Sequence, residues 1–240
     1  KFAHLSAFDG DERQKQALKD AYGDAIDLYV EVIADGKPHK LYLTSPESGM
    51  SSILRPSSRH LAFFNGFSSF GLVQREIPVR TRKLDDIDGL KAIDLIKMDI
   101  QGAELMVLKH GKRKLENCVA VQLEVSFTPL YENQPTFGEM DVYMRAHGFV
   151  PHCFVDVKRW SIAPTVRDGN FRIPFNQLLE GDIVYIRDPL KVEAMTSEAI
   201  INLAYVAWYC YGSPDLAVHL LFELERRGEL QRGMTQRLLE

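Results

Sequence analysis

Asp99 and Glu124 each stand near the end of an apolar run, where a carboxylate is either paired with a neighbour or placed to meet a ligand. In "IDLIKMDIQGAELMVLKHG", residues 93–111, side-chain alternation along a strand puts Ile93, Leu95, Lys97 and Asp99 on one face. Ile96, Met98 and Ile100 take the other. A parallel strand covered on both sides is apolar on both, yet this one turns polar toward its carboxyl end, where ligands of such sheets bind. "VAVQLEVSF", residues 119–127, repeats the pattern, with Gln122, Glu124 and Ser126 alternating with Val121, Leu123 and Val125. Unpaired buried carboxylates are costly, so two such faces point to a polar cleft or to a closed hydrogen-bond network. A Lys97–Asp99 ion pair and a carboxylate at the start of the next helix remain open as structural readings. "AFDGDE", residues 7–12, is a third case. Asp9 could accept both hydroxyls of a nucleoside ribose while Gly10 allows close approach, or Asp9 and Asp11 could cap a helix.

The elements that hold these residues alternate. Strands are predicted at 2–8, 26–34, 40–44, 77–81, 93–100, 119–127, 149–157 and 182–187, and helices at 12–22, 84–90, 103–110 and 137–147. Asp35-Gly36 reads as a hairpin turn into residues 40–44. Residues 45–70, rich in Ser, Gly and Pro, read as an irregular excursion, a loop over a site. The alternation implies an α/β fold with a mostly parallel sheet. Beyond Pro189 the pattern is helical over 192–209, 214–226 and 230–239, with Ser213 placed to cap ahead of Pro214. The chain therefore divides into a domain at 1–188 and a helical extension at 189–240, packed on the domain or on a partner subunit. With 240 residues, 45% apolar, there is material for one sizeable core. A net charge of −4 offers no global basic field for nucleic acid. Three scattered cysteines fit a reducing, cytoplasmic setting, no apolar run is long enough to span a bilayer, and no grouping has metal-ligand spacing.

"LDDIDGLKAIDLIKMDIQGAELMVLKHG" (84–111) followed by "VQLEVSFTPLY" (121–131) resembles the FkbM-type S-adenosylmethionine-dependent methyltransferases. "MSSIL" (50–54) resembles a serine-containing segment of that family, and the tail with "YGSPDLA" an extension on some bacterial members. The resemblance covers roughly residues 2–188. It implies a class I, Rossmann-like methyltransferase sheet, mostly parallel, with one antiparallel strand near the end at 182–187. It also implies methyl transfer from S-adenosylmethionine to a substrate oxygen. Asp9 matches the acidic position that holds the ribose. Asp99, Gln101 and Glu104 match the motif beside the transfer centre, Gln101 and Glu104 on the cofactor side, and Glu124 matches the acidic end of the next strand. Gln101 stands where many members have Glu. The family's first strand and its Gly-rich loop have no counterpart after Lys1, which implies an amino-terminally truncated piece of a longer protein, or else a natural form that has lost the cofactor, and weak cofactor binding by the chain as it stands.

In that setting Asp99 or Glu124 would orient or deprotonate a hydroxyl of a sugar, glycan or natural product, and Lys97 would keep Asp99 ionised. Two alternatives stand beside it. One is a non-catalytic module with this fold, binding a glycan or partner, including a second copy through the C-terminal helices. The other is a different nucleotide-binding α/β enzyme such as a dehydrogenase, which needs a Gly-rich loop of its own.

Overall fold

The computed structural model describes residues 3–10 and 14–238, so Asp11, Glu12 and Leu239 lie outside the described residues. In chain order the elements are β1 (Leu5–Phe8), α1 (Gln14–Tyr22), β2 (Ile26–Tyr29), β3 (Val32–Ile33), β4 (Pro38–Leu43), α2 (Ser58–Leu61), α3 (Phe67–Phe70) and β5 (Arg75–Arg82). There follow β6 (Leu95–Met98), α4 (Glu104–Lys109), β7 (Ala120–Ser126), α5 (Phe137–Ala146), β8 (Phe149–Arg159), β9 (Leu178–Arg187), α6 (Ser197–Tyr209) and α7 (Pro214–Arg226).

The largest sheet has the order β6-β7-β9-β8, with β6 and β7 parallel and β9 antiparallel to both its neighbours. β7 lies inside it, and all seven of its residues are buried. Its Val121, Leu123 and Val125 face Leu105, Leu108, Met140 and Met144 of α4 and α5. On the opposite side Ala120 and the neighbouring Val184 and Ile186 meet Ile200, Leu203, Leu220 and Leu224 of α6 and α7. The sheet is thus the middle of three layers, and each buried leucine in them contributes about 1.5–3 kcal/mol of transfer free energy. The extension after Pro189 is packed on the sheet of its own chain.

Two smaller sheets flank this core. β1 and β2 pair in parallel, with Phe8 stacked on Tyr29 at 4.9 Å and both rings packed on the α4–α5 side of the core. β3, β5 and β4 form the other, in that order, β3 parallel and β4 antiparallel to β5.

Several expectations change. Among the described residues the sheets are mixed rather than mostly parallel: β1–β2, β3–β5 and β6–β7 are parallel, β4–β5, β7–β9 and β8–β9 antiparallel. β4 does not form a hairpin with β3, because both pair with β5, whose longer β-rich run offers an edge to each. Residues 45–70 are not an open loop. Met50, Leu61, Phe64 and Phe67 bury themselves against Leu130, Tyr131 and Leu179, since the apolar patches between the glycines and serines find a common partner. Residues 84–90 form only a short 3-10 turn at Leu84–Asp86, and 230–238 only one at Gln236–Leu238. Ser213 precedes Pro214 as expected, but its hydroxyl meets His152 Nε2 at 2.7 Å instead of capping α7.

Candidate functional site

After β6 the chain turns through two consecutive left-handed residues, Gln101 at φ 58° and Gly102 at φ 98°. Glycine adopts this region freely, whereas for glutamine it costs about 1–3 kcal/mol and must be held by its surroundings. Four hydrogen bonds hold it. The Gln101 carbonyl accepts from Ser52 Oγ at 2.7 Å, and its side-chain Oε1 accepts from Tyr131 Oη at 2.7 Å. Its Nε2 donates to Asp99 Oδ1 at 3.0 Å and to Glu124 Oε1 at 3.4 Å. Glu104, at the start of α4, closes the turn from beneath: its Oε1 accepts from the amides of Ile100 (2.9 Å) and Gly102 (3.3 Å). A Cβ at Gly102 would stand 3.1 Å from the Gln134 side chain, on a backbone that L residues avoid. Gly102→Ala is therefore expected to destabilise the fold by more than about 1 kcal/mol and to loosen Gln101, read as a lower denaturant midpoint.

The carboxyl groups around this amide differ in setting. Asp99 is exposed, while Glu124 is buried at the polar face of β7. Burial, then the charges of Glu180, Asp99 and Glu104, push Glu124 up to about 9 against the pull of Lys158. Lys158 Nζ lies 2.7 Å from Glu180 Oε1 and 3.8 Å from Glu124 Oε2, so its charge is directed mainly to Glu180. Glu124 is accordingly a protonated acid near neutrality. Burial likewise raises Glu104 to about 7, despite its backbone donors. Tyr131, buried and facing Glu124, is pushed far up and remains a neutral donor, bonded also to the Met50 carbonyl at 3.1 Å. The site thus offers one exposed carboxylate, one buried acid and a fixed amide at the carboxyl end of the parallel pair β6–β7. Such an arrangement can hold a hydroxyl and accept its proton.

Residues 9–151 match the methyltransferase FkbM domain. The chain belongs to the FkbM methyltransferase family. The 2-O-methyltransferase NoeI of Sinorhizobium fredii (strain NBRC 101917 / NGR234) is 32% identical to this chain over a stretch covering 55% of it and 57% of that protein. The chain thus spans little more than half the length of the curated relative it matches. No solved structure matches it.

Four of the residues expected at an FkbM site, Asp99, Gln101, Glu104 and Glu124, come together. Glu104 does so from inside the turn, where its Oε1 accepts from two amides and shapes the loop. Lys97 is exposed on β6, in register with Gln122, and among the described ion pairs none joins it to Asp99. Asp9 follows directly on β1, which lies in a separate sheet, and its amide donates to the Tyr29 carbonyl at 3.1 Å. The close approach allowed by Gly10 is to Val32, whose side chain a Cβ there would strike. Gln122 accepts from Tyr211 Oη at 3.2 Å and so belongs to the packing of the extension. Tyr131 and Glu180 have no role in the sequence reading, and Ser52 enters it only through the serine-containing segment at 50–54. Tyr131 closes the "VQLEVSFTPLY" block, and Glu180 lies two residues before the predicted start of the last strand, opposite Lys158 in the observed register.

Among the described residues no helix is long and apolar enough to cross a membrane. No group of three or more His, Cys, Asp or Glu among them could hold a metal ion.

Proposed function

We propose that this chain is an S-adenosylmethionine-dependent O-methyltransferase acting on a hydroxyl of a sugar, glycan or other natural product. The observation that carries the reading is the Gln101 amide, which gathers Asp99, Glu124 and Tyr131 at the carboxyl ends of β6 and β7 in a chain of the FkbM family. The likeness to a 2-O-methyltransferase supports oxygen as the acceptor atom. In fold terms we read β1–β2 and β6-β7-β9-β8 as parts of one class I sheet at 1–188, supported by the two parallel pairs and by the antiparallel β9 set between β7 and β8.

For the ribose end of the cofactor the chain offers Asp9, whose carboxylate would accept the ribose hydroxyls. Among the described residues there is no counterpart for its methionine end: the left-handed glycines Gly23 and Gly36 sit in separate turns. The cofactor supplies, when bound, an electrophilic methyl group. This chain's part is to align and deprotonate. Asp99 accepts the acceptor's proton, Gln101 fixes the Asp99 carboxylate, and protonated Glu124 with Tyr131 fixes Gln101. Alignment of this kind can be worth about 7–11 kcal/mol of barrier.

Calorimetric titration of the native protein with S-adenosylhomocysteine tests the cofactor assignment. Binding is expected, with Asp9→Ala weakening it at least ten-fold, thermal unfolding of the variant being followed alongside. Absence of binding to the native protein would sink the reading.

A further inference from the structure

Beyond the carboxyl cluster, the strands that carry Lys158 and Glu180 open into a loop. β8 ends at Arg159, β9 begins at Leu178, and the Trp160 amide closes the loop by donating to the Gln177 carbonyl at 3.0 Å. Trp160, Ile162, Thr165, Phe175, Asn176 and Gln177 line a cavity of about 380 Å³ here. Trp160 is rigid, since its indole N–H donates to the Asn65 carbonyl at 2.8 Å and its ring meets Phe67 edge-on at 5.1 Å. Phe175 is held by the Arg167 guanidinium 4.6 Å from its ring centre and remains 39% exposed.

The polar side of the lining has unused capacity. Gln177 Nε2 donates to Thr128 Oγ1 (3.2 Å) and to the Leu178 carbonyl (2.9 Å), which fixes the amide and leaves its Oε1 facing no donor among the described residues. The Asn176 amide and the Thr165 hydroxyl likewise make no side-chain hydrogen bond to the described residues. No charged side chain lines the cavity. Position links it to the site: Trp160 lies two residues past Lys158, and Gln177 is tied to Thr128, two past Ser126. Trp160 and Thr128 follow closely on the ends of β8 and β7, the strands that carry Lys158 and Glu124.

We propose that this cavity is a subsite for a neutral saccharide ring of the acceptor, a proposal that rests on the methyl-transfer reading above. A pyranose has an apolar C–H face, which suits aromatic rings, and adjacent hydroxyls, which suit planar amides able to donate and accept together. An anionic acceptor would find no cation among the residues that line the cavity. A purely apolar acceptor would leave three polar groups without partners.

A neutral glycan array probed with the native protein tests this, with Phe175→Ala and Asn176→Ala as variants. Both side chains are exposed and neither makes a hydrogen bond, so the fold should hold, as unfolding curves can verify. Binding to at least one neutral glycan is expected, weakened ten-fold or more in both variants, with S-adenosylhomocysteine affinity unchanged. Glycan binding indifferent to both substitutions would overturn the proposal, as would methyl transfer to a non-saccharide hydroxyl by a protein that binds no neutral glycan. Saccharide binding lost in the variants, in a protein that fails to bind S-adenosylhomocysteine, would support the subsite while removing the methyl-transfer reading.

Discussion

Asp99→Asn is expected to lower kcat for methyl transfer by about 10²–10⁴-fold while leaving the fold intact, because the amide keeps a hydrogen bond to Gln101 but cannot accept the acceptor's proton. Glu124→Gln is expected to cost less than about ten-fold. The buried Glu124 carboxyl is already protonated at neutral pH, and a glutamine there can still accept from Gln101 Nε2. The two carboxylates are equivalent candidates in the sequence, and burial separates them. A single-turnover assay of both variants decides the matter: if Glu124→Gln fell as far as Asp99→Asn, Glu124 would be the base.

The second large effect concerns stability and pH. Glu104 titrates at about 7 in the folded protein and near 4.5 in an unfolded chain. A carboxyl raised in this way contributes stability that is complete below about pH 4.5 and is lost as pH rises through about 7. The shift corresponds to a loss on the order of 3 kcal/mol across that window. Glu124 adds a loss in the same direction that extends toward pH 9. Glu104→Gln keeps an oxygen for the amides of Ile100 and Gly102 and is expected to flatten the window between pH 5 and 7, seen in urea midpoints. Glu104→Ala leaves both amides unpaired, at about 1–3 kcal/mol each, and should destabilise at every pH. A wild-type midpoint that rises from pH 5 to 7 would refute this assignment.

The sequence reveals most where local pattern and tertiary context agree. The β6-turn-α4 segment carries its own glycine, its own closing carboxylate and an apolar periodicity, so both its geometry and its importance are readable. The role of Glu104 is not, because a helix-leading acid looks the same whether it faces solvent, a ligand or two amides beneath a turn. Lys158 and Glu180 escape for another reason. Their pairing depends on the antiparallel register of β8 and β9 across a long loop, and nothing local specifies it. The same limit explains β4, whose partner β5 lies beyond the packed 45–70 segment instead of beside it in the chain.

The bond from Tyr211 to Gln122 and the leucines of α6 and α7 give the last fifty residues a practical meaning. They form the back wall of the sheet whose front edge carries Asp99 and Glu124. An expression boundary drawn at residue 188 would strip Val184, Ile186 and Ala120 of their cover and turn the strand that aims Glu124 into an adhesive surface.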